Sequence, residues 1–495
     1  MLVTYDLGLH VRLPFTGDPA AVDEALQGIE KLSARGPEAD RDRRQAFQTI
    51  LAIQEESINS PDPLPCPQTI ATPAHTYATQ RRQEVRRSIG ALTLLVNSLS
   101  GVPGRKAVLH VSDGLPLTPG EEVFQFLAEI CGGGGTAGIG RTAIAGETRS
   151  GRERRGEEEG GGASAPQPRQ GQDTDPYQIF DAREIGPRAY QAASQAPLDA
   201  QSYNVAKELQ TLAAHANAQR VTLYTLQASG LAGPDAADAG AGPAERLFQF
   251  PSIGTVLRAN NRDSLQLLAD STGGRSILDA NDFLPDLARM REDFESYYSL
   301  GFTPAHHGDG REHKIEVRVK RPGVRLRYRE SYRDKPTLEK TVDRTLAALL
   351  YGIEDNPLDI RMEIGDQTLG PAGAWTVPVR LRIPLFKLAI LNREETFEGN
   401  LRLFVATRTP DGGNSPMRQV EVPLRIPRKQ VLHAMGQFYL YTLTLQLPPG
   451  EQRVAVAVRD EVAATTSFLS RSVEVGGNLP AQPHPPAPSP KGEGE

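Results

Sequence analysis

Apolar positions recur at helical intervals in several segments of the first two thirds of this chain, and runs that alternate with polar positions dominate the last third. Between residues 79 and 99, Val85, Ile89, Leu92, Val96 and Leu99 recur every four or three residues, which lays a single apolar stripe along an amphipathic helix. Val205, Leu209, Leu212 and Ala216 repeat that pattern and predict a second helix over about residues 200–218. The first helix leads into a short aliphatic run that ends in Ser112-Asp113-Gly114, and the second leads into Val221 to Leu226. Helix followed by buried strand, twice over, points to α/β units around a parallel sheet.

Shorter signals fill in the rest. Residues 2–5 and 9–13 read as strands about a turn at 6–8, and 19–32 as a helix with Asp18 as N-cap and Pro19 in its first position. Helices are expected over 263–271, stopped by Gly273-Gly274, and over 283–294, with Asp282 as cap. Residues 297–302 read as a strand, and the alternation from Ile315 to Arg329 about Pro322-Gly323 as a hairpin. Residues 346–353 form a short apolar helix or strand. Alternating runs at 375–385, 401–408, 418–426, 438–447, 453–459 and 466–475 then predict an antiparallel β-sandwich. The chain is thus divided into a first α/β part at 1–131, a low-complexity insertion at 132–187 that is expected to be disordered, a second α/β part with its hairpin at 188–335, a β-sandwich at 340–476 and a disordered Pro-rich tail at 477–495.

Composition narrows the functional classes. At 495 residues and 38% hydrophobic content, the chain can bury two or three cores. A net charge of −6 argues against a nucleic-acid binder driven by phosphate neutralisation. No apolar run of transmembrane length occurs, and the first residues lack the basic and apolar regions of a signal peptide. Cys66 and Cys131 stand in neither CxxC nor zinc-type spacing, and Cys131 abuts a flexible glycine run, so a structural disulfide between them is not expected.

The chemistry centres on Asp113. Open α/β sheets bind ligands beyond the carboxyl ends of their strands, so a carboxylate there is placed to hold a metal or polar ligand, and Asp113 with Ser112 supplies part of an oxygen donor set. The competing reading is a strand-end Asp that caps the following turn and needs no ion. His306, His307 and His313, with Asp309 and Glu312, lack a metalloprotease spacing and read as a solvated turn. The basic run from Arg311 to Lys335 alternates with apolar residues and reads as a solvated sheet face. No nucleophile elbow, phosphate-binding loop or Cys-His signature occurs, so enzymatic activity has no positive support. A hydrolase of unknown class that uses Asp113 with His110 stays as an outlying alternative.

Three segments taken in order, residues 1–6, Leu13-Pro14-Phe15-Thr16-Gly17-Asp18-Pro19, and Pro103 through Ser112-Asp113-Gly114, resemble bacterial von Willebrand factor A-related proteins of the Acidobacteria type. Leu268 to Arg275, Tyr297-Tyr298-Ser299-Leu300-Gly301-Phe302 and Val317 to Val324 extend the likeness over roughly residues 1–335. The resemblance implies a Rossmann-like sheet with a metal-ion-dependent adhesion site for Mg²⁺ or Mn²⁺, whose ligands come from an Asp-x-Ser-x-Ser loop, a Thr of a second loop, and the Asp of a Ser/Thr-Asp-Gly loop. Only the last maps here, onto Asp113. Thr72 and Thr76 precede the helix as a second-loop Thr would, but in no recognisable motif. Residues 2–5 align with the family's second strand, so the chain is expected to be truncated before the first strand, with a gap in the sheet that leaves backbone groups unpaired at about 1–3 kcal/mol each where buried.

Together these readings lead to the expectation of a non-enzymatic protein-interaction or adhesion-type module with a degenerate or incomplete metal site. The alternative is a metal-free structural scaffold. The expected partner is an unidentified protein, with no nucleic acid. The family resemblance implies export to the periplasm or beyond, although this N-terminus carries no signal peptide.

Overall fold

The computed structural model describes residues 1–476 apart from residues 7, 32–35, 62–65, 133–186, 229–250, 325, 371–372 and 410. Most of the insertion predicted at 132–187, and all of the tail at 477–495, lie outside the described residues.

Strands β1 (Leu2–Asp6) and β2 (Gly8–Leu13) pair antiparallel and form a sheet of their own. Helix α1 (Pro19–Glu30) starts as expected, with the Asp18 carboxylate accepting the Ala20 N–H at 3.0 Å. Then follow α2 (Gly36–Ile58), α3 (Thr72–Ser98), β3 (Lys106–Ser112), α4 (Glu121–Gly132), α5 (Pro187–Gln201), α6 (Ala206–Ala218), β4 (Val221–Gln227), α7 (Pro251–Thr272), β5 (Ser276–Ile277) and α8 (Leu284–Glu295). β3, β4 and β5 make a parallel sheet in that order, with Val108 opposite Leu223.

The amphipathic stripe of α3 serves two cores. Its C-terminal half buries Val85, Ile89, Leu92 and Val96 with Leu209 and Leu212 of α6, Leu268 of α7, and Val221 and Leu223 of β4. Its N-terminal half buries Ala74, Tyr77 and Ala78 in a second, helical core with Phe47 and Ile50 of α2 and Phe124, Phe126 and Leu127 of α4. That second core explains why α3 starts at Thr72 rather than at residue 79. Cys66 and Cys131 are joined inside it by a disulfide, Cα to Cα 5.8 Å, which the sequence did not call for.

Two expected strand segments fail to form. Among the described residues no strand pairs with 297–302, and Tyr298, Leu300 and Phe302 are 97%, 76% and 61% exposed. Of the 315–329 hairpin only the base is built, as β6 (Glu312–Lys314) with β7 (Ser331–Arg333) and a bond from Ile315 N–H to the Glu330 carbonyl. Alternation specifies which face a strand would bury, but ladder bonds need a neighbour. β5, only two residues long, offers almost no edge to extend.

Residues 346–353 prove helical. They fall largely within α9 (Thr337–Tyr351), which Gly352 ends at φ +68°. α9 joins the two halves of the chain. Ala348 and Leu349 pack on Phe404, Ala406, Ala455, Ala457 and Phe468, while the Tyr351 hydroxyl donates to Ser98 Oγ at the end of α3.

The remainder is two facing antiparallel sheets. Its elements are β8 (Arg361–Ile364), β9 (Thr368–Leu369), β10 (Trp375–Pro384), β11 (Leu391–Asn392), β12 (Thr396–Arg408), β13 (Arg418–Pro427), α10 (Val431–Met435), β14 (Phe438–Leu447), β15 (Gly450–Asp460) and β16 (Thr465–Val475). One sheet runs β14-β10-β8 with β9 also on β10. The other runs β11-β12-β15-β16 with β13 on β12. Val377, Val379 and Leu381 of the first meet Leu401, Leu403, Val456 and Val458 of the second in one buried core. The six alternating runs of the sequence are all strands here.

Candidate functional site

Asp113 follows the last residue of β3, at the carboxyl end of the parallel sheet, where sequence reasoning placed it. Its side chain is exposed. Ser112 Oγ is already engaged, accepting the Gly114 N–H at 3.1 Å, and the Ser112 carbonyl accepts from Ala228 N–H at the end of β4. Gly114 takes φ +120° and lies against α7, where an added Cβ would sit 2.5 Å from Asn261 Cβ. The loop beyond is pinned, because Asn260 accepts the Thr118 N–H and donates to the Thr118 carbonyl, both at 2.7 Å, while Asn204 donates to the Thr118 hydroxyl.

Carboxylates cluster next to this loop in a way the sequence did not signal. Glu121 opens α4 with its pKa pushed up to about 7 by burial and by the neighbouring charges of Glu122 and Asp263. Asp263 lies two residues along α7 from Asn261. Glu122 is 2% exposed. One of its oxygens accepts the Tyr77 hydroxyl at 2.9 Å, and the other has no hydrogen-bond partner. Burial and the Glu122 charge push the Tyr77 phenol well above its ordinary range. A Glu-Glu pair at a helix start ordinarily faces water; only the packing of α3 on α4 turns Glu122 inward.

The other candidates separate. Thr76 gives its hydroxyl to the Thr72 carbonyl, so both threonines belong to α3 rather than to a ligand loop. His110, within β3, has its pKa lowered to about 4 by burial, its Nδ1 lacks a partner, and no hydrogen bond joins it to Asp113 among the described residues. His313 lies against Asp309 and His307 against Asp334, each at 3.0 Å, and Asp334 is shared with Lys340 and the Gly308 N–H, so these carboxylates are taken up within the turn. Much of the basic run is committed internally, Arg318 to Glu316, Arg327 to Asp293, Arg333 to Glu339 and Lys335 to Asp343.

Divalent magnesium needs about six oxygen donors in near-octahedral array. Among the described residues no group of three or more His, Cys, Asp or Glu converges on a point that could hold an ion. Ser112 and Asp113 alone, with the serine oxygen already accepting a hydrogen bond, do not fit a resident Mg²⁺ or Mn²⁺.

No family model matches the chain, and no curated protein is similar to it. Among solved structures it is similar to a β-glucuronidase of Bacteroides uniformis at 13% identity, over 23% of this chain and 13% of that one, with a TM-score of 0.16. That likeness is too slight to carry an argument about fold or activity.

What remains distinctive is the sheet beside Asp113. Among the described residues β3 pairs with β4 along one edge only, since β1 and β2 pair with each other instead. Register puts Leu109 level with Tyr224 and Val111 level with Leu226 on one face. Tyr224 on that face is covered by Phe294 of α8, ring centres 5.6 Å apart, whereas Leu109 and Val111 are 37% and 57% exposed. Parallel sheets are ordinarily covered on both faces, so a bare aliphatic pair on an edge strand is a surface short of a neighbour. Among the described residues no helix is long and apolar enough to cross a membrane.

Proposed function

We propose that the chain is a non-enzymatic, adhesion-type interaction module whose α/β half resembles a von Willebrand factor A domain and takes an extended segment of a protein partner along β3. The observation that carries this reading is the open edge of β3 with Leu109 and Val111 exposed on a parallel sheet. Strand addition supplies affinity through main-chain bonds and specificity through alternate side chains, which suits a strand that offers aliphatic residues on one face. Asp113, exposed at the end of the same strand, would meet the end of such a segment, through an ion only if the partner brings further oxygen donors. The disulfide in the helical core supports action in an oxidising compartment, in line with the export that the resemblance implies.

Selection of a displayed random-peptide library on the purified chain tests this reading. Binders should carry alternating aliphatic residues, protect the amides of β3 from hydrogen exchange, and lose affinity at least tenfold against Val111→Lys. Repeating the titration with Asp113→Ala in the presence and absence of Mg²⁺ separates an ion-assisted contact from a plain one. Binders indifferent to Val111, or protection elsewhere in the chain, would refute the site. A metal-free scaffold, the second reading, has no specific observation in its favour.

A further inference from the structure

The β-sandwich has an open edge of its own, and its character differs from that of the other long edges. β14 pairs with β10 in unbroken register from Trp375 opposite Leu447 to Pro384 opposite Phe438, and among the described residues no strand pairs with its other side. Its ten residues, Phe-Tyr-Leu-Tyr-Thr-Leu-Thr-Leu-Gln-Leu, include no charge, no proline and no glycine. Every second residue therefore turns an unpaired N–H and C=O outward along a regular strand, the arrangement that monomeric proteins usually blunt.

The comparison lies within the same domain. β13 carries Pro423, which has no N–H, between Glu421 and Arg425. β16 carries Arg471 and Glu474 and is bridged at Phe468 by Asp355. β8 and β11 are four and two residues long. On the outer face of β14, Phe438 and Leu440 are 43% and 65% exposed. Between the β13 and β14 edges lies a cleft of about 490 Å³ lined by Leu385, Pro423, Leu424, Arg425, Ile426 and Tyr439.

We infer that β14 is a self-association edge, and that two copies of the chain join antiparallel along it about a two-fold axis at Thr442. The occupant follows from the strand's composition. An uncharged strand can lie against its own copy without like-charge opposition in any register, whereas β13 carries Arg418, Glu421 and Arg425 and is interrupted by Pro423, which has no N–H to give. Centred on Thr442, the pairing sets Leu440 opposite Thr444 and Phe438 opposite Gln446 on the outer face. On the inner face it sets Tyr441 opposite Leu443 and Tyr439 opposite Leu445, so that each aromatic ring meets a smaller side chain. The contact is isologous and closed, β8-β10-β14 continuing into the same three strands of the copy, and it removes the edge from water. This inference is independent of the reading of β3, which lies in the other half of the chain.

Sedimentation equilibrium of the full chain over a wide dilution series tests it, with charge variants at the axis. The unaltered chain should reach twice its 53.7 kDa mass. Thr442→Lys and Thr442→Glu each place like charges opposite one another, and each should sediment as a monomer at concentrations where the parent is dimeric. An equimolar mixture of the two should recover the dimer, a result that misfolding of either variant could not produce. A monomeric parent chain, dimeric single variants, or a mixture that stays monomeric would overturn the proposal.

Discussion

Reducing the bond between Cys66 and Cys131 should unfold the α/β half of this protein well before the sandwich. The bond closes a loop with a sequence separation of 65 residues between two cysteines that are 3% and 2% exposed. Loop closure in the unfolded chain costs about 2.1 + 1.5R ln 65, or about 14.5 cal/mol/K, which makes the cross-link worth about 4 kcal/mol at room temperature. A 4 kcal/mol change is a large share of a domain's stability. The two halves report separately. The chain has a single tryptophan, Trp375, packed on the sandwich core, whereas the helices lie mostly in the α/β half. In urea, far-ultraviolet dichroism should show the helical transition shifting by about 4 kcal/mol on addition of reductant, while Trp375 fluorescence should report a transition that hardly moves. Cys66→Ala with Cys131→Ala should reproduce the shift without reductant. A helical transition moved by less than about 1 kcal/mol, or two titratable thiols in the denatured but unreduced protein, would refute the reasoning.

Two further predictions follow from side chains held in unusual surroundings. The Glu121 carboxyl titrates near 7 in the folded chain against an ordinary 4.5, so the native state keeps a proton that the unfolded state has released. Stability should therefore fall as pH rises from about 4.5 to about 7 and level off above, by about 1–2 kcal/mol once partial solvent access is allowed for. Glu121→Gln should recover that amount at pH 8 and change nothing at pH 4; equal effects in denaturant melts at both pH values would sink the argument. Gly101 abuts α9, where an added Cβ would stand 2.0 Å from the Asp343 carbonyl oxygen. Gly101→Ala should cost about 1–3 kcal/mol by forcing α9 away from α3, seen as earlier thermal unfolding with faster proteolysis between the two halves; an unchanged melt would show that the two halves adjust freely.

Local pattern was enough to locate most of the strands and the Asp113 turn. β3, β4 and the six long sandwich strands follow from runs of alternating or aliphatic residues, because a strand's two faces are written in neighbouring positions. Asp18 capping α1 is likewise local chemistry, whereas residues 346–353 left helix and strand open until α9 was seen packed on the sandwich. Where a feature depends on a distant partner, the pattern ran out. Cys66 and Cys131 meet only because α2, α3 and α4 fold into one core, and Glu122 is buried only because Tyr77 lies across from it. Residues 297–302 alternate as a strand should, yet no adjacent edge receives them. The open sides of β3 and β14 belong to the same class, since whether a strand is central or at an edge depends on which strands pair beside it. Sequence by itself determined the elements and the faces they would bury, through side-chain period and turn chemistry. Tertiary structure alone decided which of those faces and edges found a neighbour, because burial and ladder bonds are properties of pairs far apart in the chain.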